Sequence, residues 1–191
     1  MFKEAYRRAS NFYQGIKPAR ALQYIEIIER VVRVGDVIVL RSEFTERLTP
    51  GYWSHAGIYV GAAQGKRREV VEARGYGVHA IPLKKYVRAN NVAVLRPHAP
   101  YEDRLRGAKK AKHYIGTPFD WTFDFNDDSK LCCTELVYDI YKETLDLSLH
   151  SVKHLPRKHA FFLPDDFFDH GFRVAWVSPG VSAVWMRQGA N

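Results

Sequence analysis

Five short apolar runs, each closed by turn residues, constrain this chain more than any other feature. They are "VGDVIVLRSE", "SHAGIYVGA", "EVVEARG", "GVHAIPL" and "NVAVLRP", all between residues 34 and 97. Each is rich in Val, Ile and other strand formers and is bounded by Gly, Pro or polar residues. Short strands in succession, joined by tight turns, predict a meandering antiparallel sheet.

Helices flank that sheet. In "PARALQYIEIIERVV" the apolar positions Ala21, Leu22, Ile25, Ile28 and Val32 fall near helical spacing, so the first 33 residues read as helical. A second helix is expected from about Tyr101 to Tyr114, then the aromatic loop "IGTPFDWTFDFNDD", then a third helix from about Lys130 to Glu143. Residues 145–165 read as irregular, with "FRVAWVS" and "SAVWM" as late strands. No repeat or linker divides the chain. The expectation is one α+β domain over residues 1–191: a helical extension (1–33), a core (34–176) and a tail (177–191).

The 46% hydrophobic content excludes a disordered chain. The net charge is +8, but its basic residues are scattered in pairs such as Arg7-Arg8, Lys84-Lys85 and Lys109-Lys110. That pattern argues against specific nucleic-acid binding and suits loose contact with an anionic surface. The opening "MFKEAYRRASNFYQ" lacks the apolar core of a signal peptide, and no apolar run approaches a membrane span of about 20 residues. A cytoplasmic location is the expectation.

Both cysteines stand together in "LCCTELVYDIY". Adjacent side chains do not easily form an unstrained disulfide, so a metal site, a reactive thiol or two small buried residues remain. On a helix starting near Lys130, Cys133 leads the apolar face of Leu136, Val137, Ile140 and Tyr141. Cys132, turned about 100° away, shares the face of Glu135, Asp139 and Glu143. Cys133 also lies in the first helical turn, with Asp127, Asp128 and Ser129 upstream as capping candidates. Unpaired N–H groups there favour a thiolate. A small core residue at the head of an apolar stripe is the alternative.

A reactive thiol needs a base. His55 opens the strand after the long polar loop "SEFTERLTPGYWS", at the lip of the sheet. His79 lies inside a strand, and the other six histidines sit in loops or helix ends, so none of those is favoured. The acid Glu72, set among Val70, Val71 and Ala73, needs a partner if buried. His55 is one choice; water at a sheet edge, Arg74 and Arg96 are the others.

Taken together, "GDVIVLRS", "SHAGIYVG", "VVEARGYGVHAIPL" and "LCCTELVYDIY" resemble the permuted papain-like hydrolases of the NlpC/P60 superfamily. The closer resemblance is to the YiiX/YebB-type branch, relatives of the lecithin-retinol acyltransferase group. It covers roughly residues 33 to 176 and implies an antiparallel sheet or open barrel packed against helices. It also implies His55 as base, Glu72 as its orienting partner and Cys133 as nucleophile, within Cys133-Thr134-Glu135-Leu136. Cys132 stands where the family usually has an aromatic residue. Phe119-Asp120 and Pro164-Asp165-Asp166 match two further family segments.

The function this resemblance implies is thiol-dependent hydrolysis of an amide through a Cys-His-Glu triad, with no metal or organic cofactor. Peptidoglycan-type amides are the first substrate class. A lipid-directed acyltransferase, thioesterase or phospholipase with the same triad, acting on lipid esters or acyl-amides, is the alternative, with Trp121, Phe123 and Phe125 as walls of an acyl pocket or simply as core. An inactive scaffold is a further alternative. Zinc held by Cys132, Cys133, His55 and Glu72 is disfavoured, because adjacent cysteines on different helix faces do not share an ion and no paired CxxC spacing exists.

Overall fold

In the computed structural model the described residues are 20–41, 51–63, 67–147 and 162–181. A 3-10 turn (Arg20–Tyr24) leads into α1 (Ile25–Val31), so the described part of the helical extension is short. Strands β1 (Val37–Arg41), β2 (His55–Ala63), β3 (Arg67–Arg74) and β4 (Gly77–Pro82) follow. Then come α2 (Leu83–Tyr86), β5 (Asn91–Pro97), α3 (Tyr101–His113), α4 (Cys133–Tyr141), a 3-10 turn (Pro164–Phe168) and β6 (Phe172–Val177). The late strand expected at "SAVWM" and the loop 42–50 lie outside the described residues.

All six strands form one open antiparallel sheet in the order β4-β3-β2-β1-β5-β6. The predicted meander holds for β1 to β4 and then breaks: β5 crosses back to pair with β1 on its free side. The crossing is carried by α2, whose Leu83 and Tyr86 are buried against the sheet. A purely sequential meander would leave that face of β1 and β2 bare.

The apolar runs are nearly continuous because both faces of the sheet are covered. On one face Val37, Val39, Ala56, Ile58 and Val71 pack with Ala108 and Ala111 of α3 and Leu136, Val137 and Tyr141 of α4. On the other, Ile38, Leu40, Tyr59, Val70 and Val92 pack with Ile28 of α1 and Leu83, Tyr86 and Val87. Strand side chains alternate between faces, so these two clusters are read off alternate residues of the same strands.

Two contacts set the lip of the sheet beside His55. The Asp165 carboxylate accepts the backbone N–H groups of Tyr52 and Trp53, each at 2.9 Å. Gly51 makes room for it: its φ is +100°, and a Cβ there would meet Asp165 Oδ2 at 2.5 Å. Gly57, two residues into β2 from His55, leaves space for the Tyr86 hydroxyl, which donates to the Ile38 carbonyl at 2.8 Å.

Candidate active site

His55 is the first residue of β2, opposite Leu40 of β1. Gly57 lies opposite Glu72 of β3, so the Glu72 side chain emerges on the same face as His55, one pleat along. The result is a direct contact: His55 Nε2 lies 2.5 Å from Glu72 Oε2. β3 is an interior strand and Glu72 is fully buried, so it is not an acid facing water at a sheet edge. Arg96 is not its partner either, because that guanidinium holds the buried Asp36 at 2.8 and 2.9 Å.

Three side-chain nitrogens surround the Glu72 carboxylate. Oε2 takes His55 and the Arg74 Nε (2.7 Å), and Oε1 takes His79 Nε2 at 3.1 Å. Burial alone would push this carboxyl up. The Arg74 charge and the two histidine bonds outweigh it and hold Glu72 well below the usual carboxylate range. Burial pulls the His55 pKa down, against the pull of Glu72. His55 is therefore a ring poised to be neutral yet aimed by a carboxylate. With Nε2 committed to Glu72, Nδ1 is the nitrogen left for a second partner.

His79 is the residue that sequence reasoning set aside, and the structure brings it onto Glu72. The signal was present. "ARGYGVHA" is a hairpin whose two-residue Gly75-Tyr76 loop joins Arg74 to Gly77, and counting back along both arms places Glu72 opposite His79. Tyr76 then bonds to the same ring, with its hydroxyl 2.8 Å from Nε2 and the two rings tilted by 37° with centroids 4.4 Å apart.

The two cysteines are unequal, though not as helical phase predicted. α4 begins at Cys133 rather than near Lys130, so Cys132 is its N-cap, with extended backbone (φ −86°, ψ 178°). Phase does not apply to a residue outside the helix. Cys132 is fully buried instead of facing outward, and Cys133 is only partly buried. The expected caps do not act: Asp127 bonds to Ser129, while Cys132 and Glu135 form a reciprocal capping box. In it the Cys132 N–H donates to Glu135 Oε2 at 2.5 Å.

The surroundings of the two thiols push them in opposite directions. A hydrogen bond from Cys132 lowers the Cys133 pKa against the cost of burial, and backbone N–H groups of Ala56 and Thr134 act in the same direction. Burial drives the Cys132 thiol the opposite way, well above its ordinary range. Cys133 is thus the thiol suited to be an anion. It lies beside Ala56, the residue after His55. Tyr86 links the two sides: its ring is 5.8 Å from that of His55, and its hydroxyl feels the charges of Glu72 and Cys133.

Glu135 does not share a solvent-facing surface with Asp139. It is buried, and its carboxyl is pushed up to about 10 by burial, by Cys132 and by the fully buried Asp120. Asp120 in turn holds its own loop, accepting from Thr122 N (2.7 Å), Thr122 Oγ1 (2.6 Å) and Asp124 N (2.6 Å). The aromatics of that loop divide. Trp121 and Phe123 pack edge-on against Phe119, whereas Phe125 packs on Tyr138 of α4 and on Phe162.

A family model described as permuted papain-like amidase enzyme, YaeF/YiiX, C92 family, matches residues 31–171. The chain belongs to this C92 family. The matched stretch carries His55, Glu72, His79 and both cysteines, and the resemblance drawn from the motifs is borne out for family and fold. Among relatives of this C92 protein, the uncharacterized protein YiiX of Escherichia coli strain K12 is 29% identical over 125 residues, with 60% of each chain covered. The crystal structure of metalloprotein YiiX from Escherichia coli O157:H7 superposes with a TM-score of 0.62 at 22% identity, over 75% of this chain and 96% of that one.

Proposed function

We propose that this chain is a cysteine amidase working through Cys133, His55 and Glu72, by way of a thioester acyl-enzyme. The observation that carries the reading is the 2.5 Å contact of His55 Nε2 with buried Glu72, made on the strand whose next residue, Ala56, faces the Cys133 thiol. It leaves His55 Nδ1 to receive the thiol proton.

His55 Nδ1 takes the proton of Cys133, and the sulfur attacks the amide carbonyl carbon. The carbonyl π electrons move to oxygen, next to the Cys133 backbone N–H at the first helical position, where the helix dipole favours negative charge. Collapse of this tetrahedral species breaks the C–N bond, and His55 returns its proton to the departing amine. Water, deprotonated by the same ring, then attacks the thioester, releasing the carboxylate and restoring the thiol. Glu72 keeps the ring oriented and stabilises the imidazolium that forms transiently.

The family description as an amidase favours amides over lipid esters, and peptide amides of the peptidoglycan kind are the substrate class we put first. The metal implied by the name of the Escherichia coli O157:H7 relative does not fit these residues. Glu72 is already surrounded by three side-chain nitrogens, from His55, Arg74 and His79, and among the described residues no group of three His, Cys, Asp or Glu could hold an ion. No step is routed through one.

The test is release of amine from a panel of acyl-peptide amides by the full chain. Cys133→Ala and His55→Ala should reduce kcat to background, while Cys132→Ala should retain it within about tenfold. Turnover by Cys133→Ala at the wild-type rate would sink the reading.

A further inference from the structure

His79 has both ring nitrogens against oxygen atoms. Nδ1 lies 3.1 Å from the Gly77 carbonyl, which only accepts, a contact that is a hydrogen bond when Nδ1 carries the hydrogen. Nε2 lies 3.1 Å from Glu72 Oε1 and 2.8 Å from the Tyr76 hydroxyl. In the neutral ring, with its hydrogen on Nδ1, the Nε2 lone pair faces a carboxylate oxygen and accepts only from Tyr76. In the imidazolium, Nε2 also donates, and Glu72 gains a second cationic neighbour beside Arg74.

The two states divide the Glu72 charge differently. With His79 protonated, one carboxylate serves His55, Arg74 and His79, and its hold on His55 is shared. With His79 neutral, Oε1 loses its donor and the Glu72 charge falls more fully on His55 and Arg74. The two histidines also differ in access: the His79 side chain is 22% exposed, against 8% for His55.

We propose that His79 is a positioning residue which, through Glu72, sets how strongly the carboxylate holds His55. The proposal rests on the amidase reading for its consequence in catalysis, but not for its geometry. The groups facing the cluster are Glu72 and Arg74 from β3, Tyr76 from the hairpin loop, His55 from β2 and Tyr86 from α2, on whose hydroxyl the Cys133 charge also acts. Arg74 is a permanent cation, and His79 is the other side chain on this carboxylate able to carry positive charge. A hairpin staple with no electrostatic role is the competing account.

The experiment follows the His55 and His79 imidazoles of the full chain by 1H–15N correlation against pH, with His55→Asn used to assign the His55 signals. His79→Gln removes the ring's capacity to carry charge while keeping an amide able to donate to Glu72. His79→Phe keeps a ring for Tyr76 to pack against. Both should raise the His55 titration midpoint by about half a pH unit or more, since a competing cation is gone. In wild type, neutral His79 should carry its hydrogen on Nδ1. An unmoved His55 midpoint in both variants, or neutral His79 protonated on Nε2, overturns the proposal.

In parallel, iodoacetamide labelling of Cys133, read on its peptide by mass spectrometry, separates this idea from the amidase reading. A labelling rate unchanged in His55→Asn contradicts the Cys133–His55 pairing, whatever His79 does. Normal dependence on His55 together with an unmoved His55 midpoint contradicts the His79 role alone.

Discussion

Glu72 and His79 sit directly opposite each other on the β3–β4 hairpin, and Glu72 Oε1 lies 3.1 Å from the His79 ring. The other oxygen of the same carboxylate lies 2.5 Å from His55. One buried acid thus joins two histidines, and most of what can be tested about this site follows from its position.

Replacing Glu72 should separate orientation from folding. Glu72→Gln keeps the shape but loses the charge, and kcat/KM on an amide substrate should fall by roughly 10²- to 10⁴-fold with a modest drop in Tm. Glu72→Ala leaves Arg74 and both histidines around an empty site and should cost about 3–5 kcal/mol in denaturant unfolding. Equal activity in Glu72→Gln and wild type would remove Glu72 from the chemistry.

His55 has a folded pKa below its ordinary 6.5, so the unfolded chain binds its proton first. Its contribution is present above about 6.5 and is lost as pH falls from there through the folded value. Glu72 is also depressed, so its contribution is present above its ordinary 4.5 and is lost as pH falls through its lower folded value. Urea unfolding at a series of pH values should show two descending segments, and His55→Asn should abolish the upper one.

Glu135 runs the opposite way. Its folded pKa near 10 stands above its ordinary 4.5, so its contribution is fully present below about 4.5 and is lost as pH rises through the folded value. Glu135→Gln keeps an acceptor for the Cys132 N–H and cannot ionise. Its Tm should therefore change less than that of wild type between pH 5 and pH 9. Glu135→Ala leaves that N–H unpaired in a buried place and should cost about 1–3 kcal/mol.

Cys132 should matter through its neighbour. Its hydrogen bond is the leading cause that lowers the Cys133 thiol, so Cys132→Ala should move the pH midpoint of Cys133 alkylation upward. Turnover should still persist. Cys132→Ser restores a donor and should bring the midpoint back toward wild type. Identical alkylation profiles in all three proteins would show that the N-cap side chain does not tune the nucleophile.

Much of this was legible in the sequence because strand alternation and hairpin length are local properties. The β2 to β4 order, the placing of His55 at a strand start and the apolar stripe from Leu136 to Tyr141 all follow from periodicity. The facing of Glu72 and His79 was equally available from the two-residue Gly75-Tyr76 loop, yet reading residues singly hid it. Other features depend on tertiary contacts. The start of α4 was misplaced by three residues because Cys132 and Glu135 outcompete Asp127 and Ser129 as caps, and that requires Glu135 to be buried. The crossing of β5 to β1 answers to coverage of a whole sheet face, which no local window contains.

The central claim is that Cys133, activated beside His55 and Glu72, carries the acyl group. It is tested most directly by mixing the full chain with an acyl-peptide electrophile and locating the adduct by peptide mass spectrometry. The account predicts one stoichiometric acyl adduct on Cys133, retained in Cys132→Ala and formed far more slowly in His55→Ala. An adduct on Cys132, or equal trapping with and without His55, would contradict it.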